Sequence, residues 1–136
     1  MATPSTAPAI VRGGAFLIAS IKPEEIFSAA DPTVEQRLMG QTAQEFVEKE
    51  VVPAIPDLEL HKEGLMALML KKAGEIGLLS GGIPEAYGGS GLDKVSATII
   101  SERLSVYASF AVSHSAHAGI GTVPIAYFGT EEQKKK

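Results

Sequence analysis

The chain has 136 residues, 45% of them hydrophobic and 21% charged, which is typical of one ordinary globular domain. Sixteen acidic side chains outnumber twelve basic ones, and this negative charge argues against nucleic acid as a partner. The absence of cysteine excludes disulfide bonds, thiolate metal sites and cysteine nucleophiles.

Residues 1–22 are predicted to form a flexible leader, and residues 23–136 a helical domain. No Asp or Glu occurs in residues 1–23, where Ala, Ser, Thr and Pro are frequent. A transit peptide is the alternative, but Arg12 and Lys22 are the only basic side chains there. A helical turn is predicted at residues 23–27, because proline favours the first helical position and acidic residues favour the positive helix end.

Two amphipathic helices are predicted in the first half of the domain. The first begins at Asp31 or Thr33, which are both good caps, and is predicted to end at Pro53. Gln36 is placed on its polar side, and the apolar face comprises Val34, Leu38, Met39, Ala43, Phe46, Val47 and Val51. The second helix runs from Leu65 to Ile76 and stops at Gly77.

Residues 79–92 are predicted to be irregular, because they contain five glycines and a proline. Further helices are predicted from Asp93 to about Tyr107, from Ser109 to about Ala118, and from Pro124 onward. No stretch of five or more residues alternates β-branched and polar side chains, so the predicted fold class is all-α.

Residues 104–130 carry no Asp, Glu, Lys or Arg, and this uncharged segment is long enough for a membrane span. Their Ser, Thr, His and Gly residues and Pro124 favour a helix buried in protein instead, so no membrane span is predicted. Residues 131–136 begin a further helix and stop after about one turn, which predicts that the chain is part of a longer protein.

Several chemical motifs are absent or incomplete. The glycine cluster at residues 88–91 lacks the Gly-x-Gly-x-x-Gly spacing of a dinucleotide turn. His114 and His117 could share a helix face, but no third ligand lies nearby, so a packed histidine is favoured over a metal site. Ser113 and Ser115 flank His114 on a helix, where adjacent residues point apart, so no nucleophile and base pair is predicted.

The helix before Pro124 has little side-chain bulk. Either another helix packs closely on it or an apolar ligand occupies the space, and the residues alone favour helix packing. The small residues are Ser109, Ala111, Ser113, Ser115, Ala116, Ala118 and Gly119.

Three segments, in register, resemble acyl-CoA dehydrogenases. Residues 77–89 resemble the GL…IPE.YGG segment of that family, residues 101–104 its SE.L pattern, and residues 121–136 its G..PI..FG..EQK.K region. Order and spacing agree over about residues 30–136. The Gly-Gly-Ala-Phe-Leu sequence at residues 13–17 is most similar to bacterial enzymes related to the long-chain branch.

The resemblance implies the amino-terminal helical bundle domain of the acyl-CoA dehydrogenase type, truncated before the middle β domain. In that family a Glu removes the α proton of the acyl thioester while the β hydrogen leaves as hydride to FAD. Both this Glu and the main flavin-binding segment lie beyond residue 136. We therefore expect no catalytic, metal-binding or cofactor-binding residue in this chain, an FAD site mostly outside it, and no activity of the chain alone.

The same resemblance places four residues of the fourth helix on the wall of the pocket for the acyl chain: Val112, Ser113, Ala116 and Ile120. Their spacing also puts them on one helical face. Ala116 is small, which would leave room for a longer acyl chain. For Tyr87 and the neighbouring glycines, a structural turn is favoured over a loop that contacts the cofactor.

For the complete protein, the resemblance implies fatty acyl-CoA as substrate, electron-transfer flavoprotein as acceptor and a homo-oligomer, either tetramer or dimer. The expected role is fatty acid β-oxidation in the bacterial cytoplasm, with the mitochondrial matrix as the alternative. A fragment of an acyl-CoA oxidase or a flavin monooxygenase is an alternative with the same fold. A non-catalytic helical binding module is another, which would be a well-behaved monomer, whereas a fragment would expose an apolar docking surface.

Overall fold

The computed structural model describes Gly14, residues 17–26 and residues 31–135. The chain divides into two compact units, residues 1–33 and residues 34–136. In the first unit Pro23–Glu25 form a 3-10 turn, in which the main-chain N–H of Lys22 donates to Glu25 Oε2 at 3.0 Å. The predicted turn is therefore confirmed at Pro23–Glu25, whereas Ile26 is extended and residue 27 lies outside the described residues. Most of the predicted leader, residues 1–13 with residues 15 and 16, lies outside the described residues.

The second unit is helical, and the described part of the chain contains no β-strand, which confirms the all-α prediction. The π-helical segment Val47–Val51 joins the first two helices, the π-helical segment Ala116–Gly121 follows the fifth, and a 3-10 turn at Glu85–Tyr87 lies between the third and fourth. The helices are α1 Val34–Phe46, α2 Val52–Glu59, α3 Leu65–Glu75, α4 Lys94–Leu104, α5 Ala108–Ser115, α6 Val123–Phe128 and α7 Glu131–Lys134.

The first predicted helix does not end at Pro53, because the chain continues helically to Glu59. A proline inside an α-helix loses a hydrogen bond to the carbonyl four residues earlier. Here a π turn precedes Pro53, and Val52 N–H donates to Val47 O, five residues back. The widened turn brings the chain to Pro53 at the start of α2, where a missing N–H is tolerated.

The core lies where α1 packs along α4, with α5 against α3 and α4. Phe110 and Ala43 are fully buried at its centre, and the rings of Phe46 and Phe110 lie 5.7 Å apart between centroids. The buried cluster comprises Ala43, Phe46, Val47, Val51, Leu58, Met69, Ala73, Leu78, Ile100, Leu104, Tyr107 and Phe110. In the described part of the chain, no helix is long and apolar enough to cross a bilayer.

The predicted buried face of α1 is partly wrong. Gln36 is buried and its Nε2 donates to Asp93 Oδ2 at 3.1 Å, whereas Val34 and Leu38 are 75% and 57% exposed. The face is set by the close approach of α4, since a Cβ at Gly40 would lie 2.8 Å from Ile99 Cγ2. The close approach of α4 at Gly40 brings Asp93, the cap of α4, within hydrogen-bonding distance of Gln36.

The starts of the later helices and the stop of α3 agree with the sequence, but α4 ends at Leu104 rather than about Tyr107, and the stretch that begins with α5 continues past Ala118 to Gly121. Asp93 caps α4 by accepting the Ser96 N–H at 2.7 Å, and α3 stops before Gly77, which has φ +82°. Thr130 caps α7, and Pro124 lies in the first turn of α6. These features depend on residues within a few positions of the helix end.

Candidate functional site

The four residues predicted to line an acyl pocket lie on one continuous helical stretch, formed by α5 and the π-helical segment Ala116–Gly121. Val112 is 68% exposed and Ile120 is 83% exposed. Ala116 is also exposed, whereas Ser113 is half-buried and its Oγ donates to Ser109 O at 2.9 Å. The structure thus brings Val112, Ala116 and Ile120 together at the surface, and we call these three residues the apolar row.

The opposite side of α5 anchors the helix in the core. Phe110 is fully buried, and His114 is 7% exposed with its ring centroid 6.2 Å from that of Phe110. His114 Nε2 lies 2.9 Å from Leu78 O, and since a carbonyl only accepts, Nε2 carries the hydrogen and donates it. Burial lowers the pKa of His114, although the bond to Leu78 O opposes this effect. His114 is therefore a neutral packed histidine, as predicted.

No group of three potential metal ligands occurs among the described residues. His117 is exposed, whereas His114 is buried with its Nε2 bonded to Leu78 O, so the two histidines do not form an open pair of ligands. The arrangement gives neither a metal centre nor a general base at the apolar row.

None of the small residues of this stretch is buried. The close helix packing that the residues alone favoured is therefore absent from the described part of the chain. The small side chains instead leave the row open at the surface. The described residues do not cover the row.

Gly121, the first residue of the G..PI..FG motif, and Thr122, which the sequence did not single out, hold the π-helical segment. A Cβ at Gly121 would lie 3.0 Å from Ala116 O, which is closer than almost all Cβ contacts. Thr122 Oγ1 donates to His117 O at 2.6 Å, again five residues back. The residue pattern does not predict a π turn here. The turn depends on the Thr122 hydroxyl and on the absence of a side chain at Gly121, and both residue types are compatible with many other backbone conformations.

The glycine-rich loop before α4 is a closed turn. The main-chain N–H groups of residues 88–91 all donate to carbonyls between residues 80 and 85, at 2.9 to 3.2 Å. A Cβ at Gly89 would lie 1.9 Å from Ile83 O, so only glycine fits there. This confirms the interpretation as a structural turn. Residues 88–91 therefore have no N–H left for a phosphate, so these four residues do not fit the pyrophosphate of a dinucleotide cofactor.

An open cleft of about 310 Å³ lies between this loop and α6 with α7. Two of the side chains that line it, Tyr87 and Lys134, both contact Glu131 of α7. Tyr87 Oη donates to Glu131 Oε1 at 3.1 Å, and Lys134 Nζ lies 3.6 Å from Glu131 Oε1 and 5.3 Å from the centre of the Tyr87 ring. These contacts hold α7 against the loop.

Residues 33–136 match the model of the family described as acyl-CoA dehydrogenase, N-terminal domain. A probable acyl-CoA dehydrogenase of Bacillus subtilis (strain 168) is 44% identical over 127 residues, which are 93% of this chain and 21% of that protein. An acyl-CoA dehydrogenase of the same organism is 41% identical over 105 residues, 76% of this chain and 27% of that protein.

Among solved structures, an acyl-CoA dehydrogenase of Bacillus anthracis, complexed with FAD, is similar with a TM-score of 0.82 and 45% identity. The match covers 93% of this chain and 22% of that one. This chain thus spans between about a fifth and a quarter of the length of the relatives it matches. With the family model matching all of residues 33–136, this chain belongs to the acyl-CoA dehydrogenase family and contains its N-terminal helical domain.

Proposed function

We propose that this chain is the N-terminal part of a flavin-dependent acyl-CoA dehydrogenase, which introduces the α,β double bond into a fatty acyl-CoA. Within that enzyme the apolar row of Val112, Ala116 and Ile120, with Ser113 at its edge, forms part of the wall around the acyl chain. The observation that carries the proposal is this exposed apolar row on a domain of the family.

The physical case for an alkyl ligand is the chemistry of the row. Val112 and Ile120 expose branched aliphatic side chains, and Ala116 between them has minimal bulk. Burying such surface contributes about 25 cal/mol for each Å² of apolar area removed from water. No carboxylate lies on this helical stretch, so the chain supplies binding and discrimination by length, while the proton is removed by a residue outside it.

FAD is the proposed cofactor of the complete enzyme, and when bound it supplies the acceptor for the substrate hydride. The similar Bacillus anthracis enzyme is a complex with FAD. The closed turn at residues 88–91 does not fit the pyrophosphate of FAD, which supports placing most of the FAD site outside this chain. This chain's part in the reaction is then to enclose the acyl chain and exclude water from it.

The Gly-Gly-Ala-Phe-Leu sequence is the basis for proposing the long-chain-like branch. The first Bacillus subtilis relative is about 600 residues long, since 127 residues make up 21% of it, and the second is about 390, since 105 residues make up 27%. The longer relative matches 93% of this chain and the shorter one 76%. The longer match leaves out only 9 of the 136 residues, since 136 minus 127 is 9, so it includes the Gly-Gly-Ala-Phe-Leu sequence at residues 13–17.

The proposed acceptor is electron-transfer flavoprotein, and the proposed setting is fatty acid β-oxidation in the cytoplasm of a bacterium. The complete protein is proposed to be a homo-oligomer, either a tetramer or a dimer. An acyl-CoA oxidase with the same fold would pass its electrons to oxygen. Hydrogen peroxide formed in step with enoyl-CoA, with no need for electron-transfer flavoprotein, would contradict the proposed acceptor.

The test uses the complete protein with acyl-CoA substrates from butyryl-CoA to palmitoyl-CoA, followed by the enoyl-CoA product. Ala116→Phe places a ring in the apolar row, so we expect kcat/KM for palmitoyl-CoA to fall at least about tenfold relative to butyryl-CoA, equivalent to about 1.4 kcal/mol. Ser115→Phe is the matched control, because it adds the same ring about 100° around the helix. We expect it to preserve the ratio.

Two outcomes would contradict the proposal at different levels. An unchanged ratio in Ala116→Phe would contradict the assignment of the apolar row to the pocket wall but not the proposed activity. Absence of enoyl product from the wild-type protein with every acyl-CoA would overturn the activity itself.

A further inference from the structure

The π-helical segment Ala116–Gly121 determines the direction of the apolar row. An α-helix advances about 100° per residue, so the eight residues from Val112 to Ile120 would place the two side chains about 80° apart. A π turn takes up about one additional residue in the helix, so the same eight residues return to within about 20° of their starting direction.

The exposure of the side chains agrees with this geometry. Val112 and Ile120 are 68% and 83% exposed, and Ala116 between them is exposed as well. The row therefore runs almost parallel to the helix axis over about two turns. An extended alkyl chain can lie along such a straight row, whereas a row that drifts by about 80° would turn Ile120 away from it.

We propose that Gly121 and Thr122 are positioning residues that set acyl-chain specificity by holding this π turn. The inference rests on the proposed function, because it explains why the apolar row, the proposed wall of the acyl pocket, is straight. Thr122 Oγ1 donates to His117 O at 2.6 Å, and Gly121 lets its backbone approach Ala116 O, where a Cβ would stand 3.0 Å away.

Neither residue belongs to the apolar row itself. The Thr122 side chain is held by His117 O, and Gly121 has no side chain to offer a ligand. Without the Thr122 hydroxyl the widened turn loses a hydrogen bond that an ordinary α-helical turn does not need. The segment then shifts toward the α-helical register, which rotates Ile120 away from Val112. Loss of the hydroxyl therefore bends the row, which weakens the binding of a long acyl chain that spans both ends more than the binding of a short one.

Thr122→Val in the complete protein tests the inference, because valine keeps the β-branched shape and removes the hydroxyl. We expect kcat/KM for palmitoyl-CoA to fall about tenfold relative to butyryl-CoA, mainly through KM, with kcat for butyryl-CoA unchanged. Thr122→Ser keeps the hydroxyl and is expected to restore the wild-type ratio. Amide hydrogen exchange of residues 116–121 is expected to accelerate in Thr122→Val and to remain slow in Thr122→Ser.

Thr98→Val is the matched control. Thr98 Oγ1 donates to Lys94 O at 2.7 Å, a comparable hydroxyl-to-carbonyl bond on the exposed side of α4, remote in sequence from the row. We expect this variant to retain the wild-type ratio of kcat/KM values.

Three results would overturn the inference. The first is an unchanged ratio in Thr122→Val while Ala116→Phe shifts it, and the second is an equal loss for every chain length in Thr122→Val. Both leave the proposed function intact. The third is the absence of enoyl product from the wild-type protein with any acyl-CoA, which overturns the proposed function together with this inference.

Discussion

Apolar residues are buried in one region of the second unit and exposed in another. We call residues 34–115 the core region and residues 116–135 the exposed end. All buried apolar side chains of the described chain lie in the core region, whereas the exposed end has none. Phe110 is fully buried and Phe128 is 89% exposed, although both are phenylalanines on short helices. Burial therefore depends on whether a packing partner is present.

The difference assigns separate roles to the two regions. The core region is stabilised by its own side-chain packing. The exposed end presents apolar residues with no cover from the described residues, among them Ile120, Tyr127 and Phe128. An exposed apolar surface of this kind marks a binding or docking surface more often than a structural one. It agrees with the expectation that a fragment would expose an apolar docking surface.

Replacing each phenylalanine by alanine tests this contrast with the largest expected effect. Phe110→Ala removes a ring with no exposed surface that packs against Phe46, so we expect a loss of about 3 to 5 kcal/mol in the free energy of unfolding. Phe128→Ala is the matched variant in the exposed end. Packing by the described residues accounts for no more than about 0.5 kcal/mol of loss in Phe128→Ala, so a larger loss measures cover from outside them.

Denaturant unfolding of the complete protein measures both phenylalanine variants. A large loss in Phe128→Ala would show that polypeptide outside the described residues covers the exposed end. A small loss in Phe110→Ala would contradict the assignment of the core.

A glycine pair sharpens the contrast with a smaller expected effect. A Cβ at Gly40 would meet Ile99 Cγ2 at 2.8 Å, so Gly40→Ala forces α1 and α4 apart and should cost about 1 to 3 kcal/mol. A Cβ at Gly119 meets nothing within 4 Å, so Gly119→Ala should be neutral or stabilise by up to about 1 kcal/mol. The thermal unfolding midpoint should therefore fall in Gly40→Ala and stay the same or rise in Gly119→Ala, and equal shifts would contradict the difference in packing.

Helix caps give the third and smallest pair. Asp93 caps α4 and also accepts a hydrogen bond from the buried Gln36, so Asp93→Ala should cost about 1 to 2 kcal/mol. Thr130 caps α7, which has no buried residue, so Thr130→Ala should cost less than about 0.5 kcal/mol. Equal losses in chemical denaturation would show that α7 is as firmly integrated as α4.

The Asp93 cap also predicts a dependence on pH. The Ser96 N–H is the main group that lowers the pKa of Asp93 from its ordinary value of 3.8, and the Gln36 amide adds to this effect. A lowered folded pKa means that the stabilisation is complete above the ordinary pKa and is lost as the pH falls toward the folded pKa. Asp93→Asn should therefore lose less stability than the wild type between about pH 5 and pH 3. An identical acid-induced loss in both proteins would contradict this account.

The amino-acid sequence by itself determined the features that depend on neighbouring residues. These are the all-α class, the stop of α3 before Gly77, the cap of α4 at Asp93 and the glycine turn before α4. Each is decided by backbone freedom or by a hydrogen bond that spans three or four residues, so the local pattern carries the information. The family motifs belong to the same class of signal, because they are short and lie at fixed spacing.

Only the tertiary structure decided which faces are buried and where the helical register changes. Gln36 is buried because Asp93 reaches it from α4, and Val34 and Leu38 stay exposed because α4 approaches along Gly40 instead. The helix passes Pro53 because a π turn precedes it, and a second π turn before Thr122 straightens the apolar row. Periodicity assumes a constant 3.6 residues per turn, so it cannot predict a turn that departs from this value or a face selected by a distant helix.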